Sequence, residues 1–143
     1  MSKLSQKRLN KEIKLYAAED FKFPNLILRP HENNLYVWYF LVYDLKETPY
    51  EGGVYFGKIS LPNEYPLKAP DFVFLTPNAR FATDKKICTT FSGYHQDVFS
   101  SSWNILTMME GMISFMTDTN QEEYGIGSLK TSDNEKQEMA NNS

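Results

Sequence analysis

One thiol, one asparagine and one histidine–aspartate pair gather in the middle of this chain. Cys88 is its only cysteine, Asn78 stands ten positions before it, His95 seven after, and Asp97 two further on. A lone cysteine can build neither an internal disulfide nor a cysteine-based zinc site. Two readings remain, a thiolate nucleophile held on a loop or a buried thiol that packs as a small hydrophobe. His95 can favour the thiolate or take a proton from an incoming group, with Asp97 orienting it. On a surface loop the same histidine also reads as simply solvated.

The elements that must hold these residues are legible around them. Between Thr76 and Ser102 no hydrophobic period is sustained, and a stretch that long without regular structure is more often functional than accidental. Upstream, four short runs rich in β-branched and aromatic residues read as strands: Leu26 to Leu28, Leu35 to Tyr43, Val54 to Leu61 and Phe72 to Leu75. The gaps between them are too short for crossover helices, which predicts an antiparallel meander. Gly52-Gly53 signals a turn, and Pro62, Pro66 and Pro70 predict a rigid, extended path after the third strand. His31 reads as a turn residue.

Helices flank this sheet. From Leu4 to Ala18, Leu9, Ile13, Tyr16 and Ala17 recur at steps of three and four, with Lys7, Arg8, Lys11, Glu12 and Lys14 on the opposite, outward face. After Ser100-Ser101-Ser102, a plausible N-cap, the stripe Ile105, Met109, Met112 and Met116 predicts a second helix whose methionines fill the core. Ser132-Asp133-Asn134-Glu135 has the capping-box pattern of a short terminal helix with Met139 and Ala140 to bury, inside a polar end, residues 130–143, expected to fray.

The 143 residues, 41% hydrophobic and 23% charged, suit a single α+β domain spanning 1–143. With 15 basic against 18 acidic residues and a net charge of -3, bulk electrostatics give no reason to expect nucleic acid or an anionic membrane as partner. No signal-length apolar stretch opens the chain, nothing in it approaches ~18 consecutive apolar residues, and an unpaired thiol suits a reducing compartment. The expected location is the cytoplasm.

Thr48-Pro49-Tyr50-Glu51-Gly52-Gly53, then Leu61-Pro62-Asn63-Glu64-Tyr65-Pro66-Leu67-Lys68-Ala69-Pro70, resemble the ubiquitin-conjugating enzymes, whose core carries a Tyr-Glu-Gly-Gly turn and a Tyr-Pro-x-x-x-Pro loop. The resemblance continues through Thr76-Pro77-Asn78-Ala79-Arg80-Phe81, Ile87-Cys88, the Trp103 segment and Ser128 to Asp133. Most of the family has His-Pro-Asn where this chain has Thr76-Pro77-Asn78. The Thr-Pro-Asn version is similar to the endoplasmic-reticulum-anchored branch, whose full-length members end in a membrane anchor. The chain ends before any such segment, which leaves open a trimmed chain or a naturally soluble one. An anchor beyond its end would place the domain on the cytosolic face of the endoplasmic reticulum.

The resemblance implies the ubiquitin-conjugating fold and a transferase. Cys88 would accept the C-terminal carboxyl of ubiquitin as a thioester from an activating enzyme, then pass it, with a ligase, to a substrate lysine or in this branch to a hydroxyl. Asn78 would donate a hydrogen bond to the oxyanion or hold the loop that does, and His95, in the branch's His-x-Asp, would assist. Recognition of the activating enzyme and ligase falls to Lys7, Arg8 and Lys11 on the first helix, to Leu67, and to Ser101, where the family's usual Ser-Pro-Ala is Ser100-Ser101-Ser102. No metal or organic cofactor is implied, since ATP is consumed by the activating enzyme. Three other readings stand beside this one: a non-catalytic ubiquitin-binding relative, a conjugating enzyme for another ubiquitin-like modifier, and a cysteine hydrolase built on His95-Gln96-Asp97.

Overall fold

The computed structural model describes residues 3–17, 23–78, 80–87, 99–117 and 131–143. Cys88, His95 and Asp97 lie outside the described residues, as do 118–130.

Helix α1 (Lys3–Ala17) is followed by strands β1 (Leu26–His31), β2 (Asn34–Tyr43), β3 (Val54–Ser60) and β4 (Asp71–Phe74), then by helices α2 (Ile105–Thr117) and α3 (Asp133–Asn142). The strands pair antiparallel in chain order, as their short connections require. This is the α+β meander that the hydrophobic runs predict. Alternation along β2 turns Trp38, Phe40 and Val42 inward. One buried cluster then joins Trp38, Phe40 and Phe72 of the sheet to Leu9 of α1 and to Ile105, Met109 and Met112 of α2.

Two glycines make this sheet possible. Gly52 has φ +84°, a left-handed conformation that side chains resist, and the turn it forms closes with Gly53 N–H donating to Tyr50 O at 3.0 Å. Gly57 lies opposite both Phe40 and Phe74 in the register. The Phe40 ring crosses it to meet Phe74 edge-on at 5.2 Å, so a Cβ at Gly57 would fall 2.0 Å from that ring.

Several local expectations need correction. The proline segment is not extended: residues 62–67 fold into successive turns, with Tyr65 N–H donating to Pro62 O at 3.0 Å and Leu67 N–H to Glu64 O at 2.8 Å. Helix α2 is capped by Asn104, not by the serines; its Oδ1 accepts from Thr107 N–H at 2.8 Å. In α1, Leu9 and Tyr16 are buried as predicted, but Ala17 is exposed and Glu12, assigned to the outer face, is buried. At the chain's end, where fraying was expected, α3 runs to Asn142. Its cap follows the sequence: Ser132 accepts from Glu135 N–H and donates to Glu135 Oε1. Ala140 is buried, whereas Met139 is exposed and Lys136 takes the inner place, its Nζ donating to Thr131 O at 2.8 Å and Thr131 Oγ1 at 2.7 Å. Ser143 Oγ accepts from Val54 N–H at 2.8 Å, which ties the helix to β3.

Candidate active site and partner-facing loops

The segment leading to Cys88 is fixed by the exposed edge of the sheet. After β4 the chain turns back along that strand: Asp84 N–H donates to Phe74 O at 2.9 Å, Ile87 N–H donates to Phe72 O at 3.0 Å, and Thr83 bridges Phe74. These bonds occupy backbone groups that an edge strand would leave unpaired. Ile87 is fully buried, so the residue immediately before Cys88 is anchored at both its backbone and its side chain.

Thr76 anchors the loop that follows β4. Its Oγ1 accepts from Phe56 N–H at 3.1 Å while its own N–H donates to Phe56 O at 3.2 Å, so the loop grips the end of β3. Asn78 then organises the turn from within. It is fully buried; its Oδ1 accepts from Arg80 N–H at 3.0 Å and Phe81 N–H at 2.7 Å, and its Nδ2 donates to Thr76 O at 3.0 Å. An asparagine that mimics a backbone turn in this way is a well-defined device for fixing loops. The guanidinium of Arg80, fully buried, lies 4.7 Å from the ring centres of both Phe81 and Phe115, and its Nη2 donates to Phe115 O at 3.3 Å. Arg80 therefore bolts the Asn78 turn to α2.

The residues assigned to partner recognition converge on α1 and two loops. Lys7 and Lys11 are exposed on α1, Leu67 at the tip of the 61–70 loop is 63% exposed, and Ser101 is exposed on the segment before α2. Arg8 differs from the other two basic residues. Its Nη1 donates to Ser101 O at 3.0 Å, its Nη2 donates to Trp103 O at 2.8 Å, its Nε lies 3.5 Å from Glu12 Oε2, and its plane sits over the Tyr65 ring at 5.8 Å. Ser5, buried on the same helix, donates to Asn63 O at 2.9 Å and to Tyr65 O. Helix α1 thus holds both loops.

Glu12 is the residue that sequence reasoning missed. Only 2% exposed, its carboxylate accepts at Oε1 from Tyr16 hydroxyl and from Ile105 N–H, both at 2.7 Å, and at Oε2 from Tyr65 hydroxyl at 2.6 Å. Burial, and after it the adjacent Glu12 charge, push the Tyr16 and Tyr65 phenols well above their ordinary range, so both remain protonated donors. The signal available in the sequence was weak: Glu12 four residues after Arg8 also reads as a surface helix pair.

Among the described residues no cluster of metal-ligating side chains occurs, and no helix is long and apolar enough to cross a membrane. An apolar cleft of about 780 Å3 lies between α1 and β1, lined by Ile13, Phe23, Leu28 and Trp38; none of the described candidate site residues borders it.

Comparison with known proteins agrees with this architecture. A family model described as ubiquitin-conjugating enzyme matches residues 8–141. The chain is 37% identical over 142 residues to "Ubiquitin-conjugating enzyme E2 6" of Candida glabrata, covering 99% of this chain and 56% of that protein. It is 37% identical over 137 residues to "Ubiquitin-conjugating enzyme E2 34" of Arabidopsis thaliana, covering 96% of this chain and 56% of that protein. The chain therefore spans just over half the length of these relatives. A crystal structure from Plasmodium yoelii, provisionally described as a ubiquitin-conjugating enzyme, superposes with a TM-score of 0.65 at 21% identity over 82% of this chain and 75% of that one, a likeness of fold. Similarity to the E2 6 proteins agrees with the branch suggested by Thr76-Pro77-Asn78. By its sequence and its architecture, this chain belongs to the ubiquitin-conjugating enzyme family.

Proposed function

We propose that Cys88 carries ubiquitin as a thioester. The Cys88 thiolate attacks the carbonyl of the thioester held by an activating enzyme, the tetrahedral oxyanion collapses, and the activating enzyme's thiolate leaves. In the second step a substrate amine or hydroxyl gives up its proton and attacks the new thioester, expelling the Cys88 thiolate. The single observation that carries this reading is family membership over residues 8–141 with one cysteine in the chain, placed directly after the anchored Ile87.

Asn78 acts in this reading by holding the loop that faces the oxyanion, since its amide is already engaged with Thr76, Arg80 and Phe81. His95 supplies the base for the incoming nucleophile, with Asp97 as its orienting partner. Lys7, Lys11, Leu67 and Ser101 face the activating enzyme and a ligase, and Arg8 shapes the surface they share. The partners are thus ubiquitin, the two enzymes and protein substrates. The domain works in the cytoplasm, at the endoplasmic-reticulum surface if the full protein carries an anchor.

Incubation with activating enzyme, ATP and ubiquitin is expected to give an adduct that thiol reductants release, and Cys88→Ala to give none. An undiminished yield from the alanine variant refutes the assignment. Absence of charging together with measurable ubiquitin binding would move the chain to the non-catalytic members of the family.

A further inference from the structure

Segment 99–104, which precedes α2, contains three consecutive serines and no residue that restricts its own backbone. It closes a local turn, with Trp103 N–H donating to Ser100 O at 3.1 Å and Ser102 N–H to Ser100 Oγ at 3.3 Å, but what ties that turn to the rest of the fold comes from far away in sequence. The carbonyls of Ser101 and Trp103 are both taken by the Arg8 guanidinium. The start of α2 is held by the same helix: the first N–H groups of a helix lack intrahelical partners, and here Ile105 N–H donates to Glu12 Oε1 while Leu106 N–H donates to Tyr16 Oη at 3.0 Å. Only Thr107 N–H is satisfied locally, by Asn104. The other arm of the network, Tyr65 hydroxyl on Glu12 Oε2, reaches the loop that carries Leu67.

We infer that Arg8 and Glu12 are positioning residues that lock segment 99–104 and loop 61–67 to α1, so that the partner-facing surface is assembled before a partner arrives. The inference rests on the proposed conjugating function for its kinetic consequence, though not for its structural one. A preassembled surface spares the partner the cost of ordering two loops on binding. It also explains why a serine run without proline can present one fixed conformation. The guanidinium is needed as a fork, because two carbonyls and a carboxylate are engaged by different nitrogens; a lysine brings the same charge on one nitrogen and cannot span them.

The test compares Arg8→Lys and Arg8→Ala in the full chain by the dependence of charging rate on its concentration. Both variants are expected to raise KM toward the activating enzyme about tenfold, each with a kcat reduced much less than that, the size expected for losing charge-assisted hydrogen bonds. An Arg8→Lys variant with the wild-type KM would overturn the inference, since Arg8 would then act as a charge that partners touch directly. So would a fall in kcat at constant KM. Amide hydrogen exchange on the same variants supplies an arm that needs no activity: faster exchange confined to 61–67 and 99–106 supports the lock, and unchanged or uniformly faster exchange refutes it. Failure of the wild-type protein to charge at all would remove the proposed function while leaving this second arm to decide the lock.

Discussion

Two loops border the surfaces proposed to meet partners and to carry the chemistry, and they are held by different means. The 75–87 segment is fixed from within: Asn78 bonds its own neighbours, Thr76 reaches an adjacent strand, and Ile87 joins the ladder at β4. The 99–104 segment is tied down from without, by Arg8 at its own carbonyls and by Glu12 at the start of α2 just beyond it, across more than ninety residues of chain. The first arrangement draws on the sheet and, through Arg80, on α2. The second makes α1, the helix proposed to meet partners, also the helix that shapes their landing surface.

That contrast can be broken at Glu12 first. Glu12→Ala leaves two buried phenols and one helix-start N–H without an acceptor, and its expected cost is about 3 kcal/mol or more of unfolding free energy. Chemical denaturation measures it; a loss below about 1 kcal/mol would mean that the 99–104 segment does not depend on α1. A subtler division is available at Asn78. Asn78→Ala removes the acceptor for two buried N–H groups and is expected to cost about 2 kcal/mol and to slow transfer by at least about tenfold. Asn78→Asp keeps the oxygen that accepts from Arg80 and Phe81 but sets its second oxygen against the Thr76 carbonyl, so it should recover only part of the stability while transferring better than the alanine variant. Were Asn78 instead the donor to an oxyanion, a carboxylate would be worse than alanine, and single-turnover transfer rates would reverse their order. The smallest effect belongs to the local cap at the end of the second loop. Asn104→Ala deletes a helix cap with an expected loss of about 1 kcal/mol in thermal or chemical melts, well short of the Glu12 variant.

The same contrast explains what could be read in the sequence. The strands announced themselves through alternation and short gaps, and the Ser132 cap through a four-residue pattern, because both are local. Thr76-Pro77-Asn78 was visible as a motif, and its geometry is that of a turn whose bonds span two or three residues. Glu12 was invisible for the opposite reason: on a helix, Arg8 and Glu12 at i and i+4 describe a solvated ion pair equally well. Only the arrival of Tyr65 and Ile105 converts that pair into a buried junction. The cap of α2 was misplaced because serine and asparagine are comparable caps, and the choice between them follows from where Arg8 holds the Ser101 and Trp103 carbonyls. The prolines of 62–70 suggested extension, yet Ser5 binding at Asn63 O and Tyr65 O accompanies a path of tight turns. Nothing local marks Lys136 as buried either; Thr131 supplies its acceptors.

The proposed chemistry stands on the bond formed at residue 88, which a Cys88→Ser variant probes. Charged under the same conditions and resolved without and with reductant, the serine variant should yield an ester to ubiquitin that survives reductant, while the wild-type adduct disappears on reduction. A wild-type adduct that resists reduction, or one whose mass-mapped attachment lies anywhere other than residue 88, would contradict it.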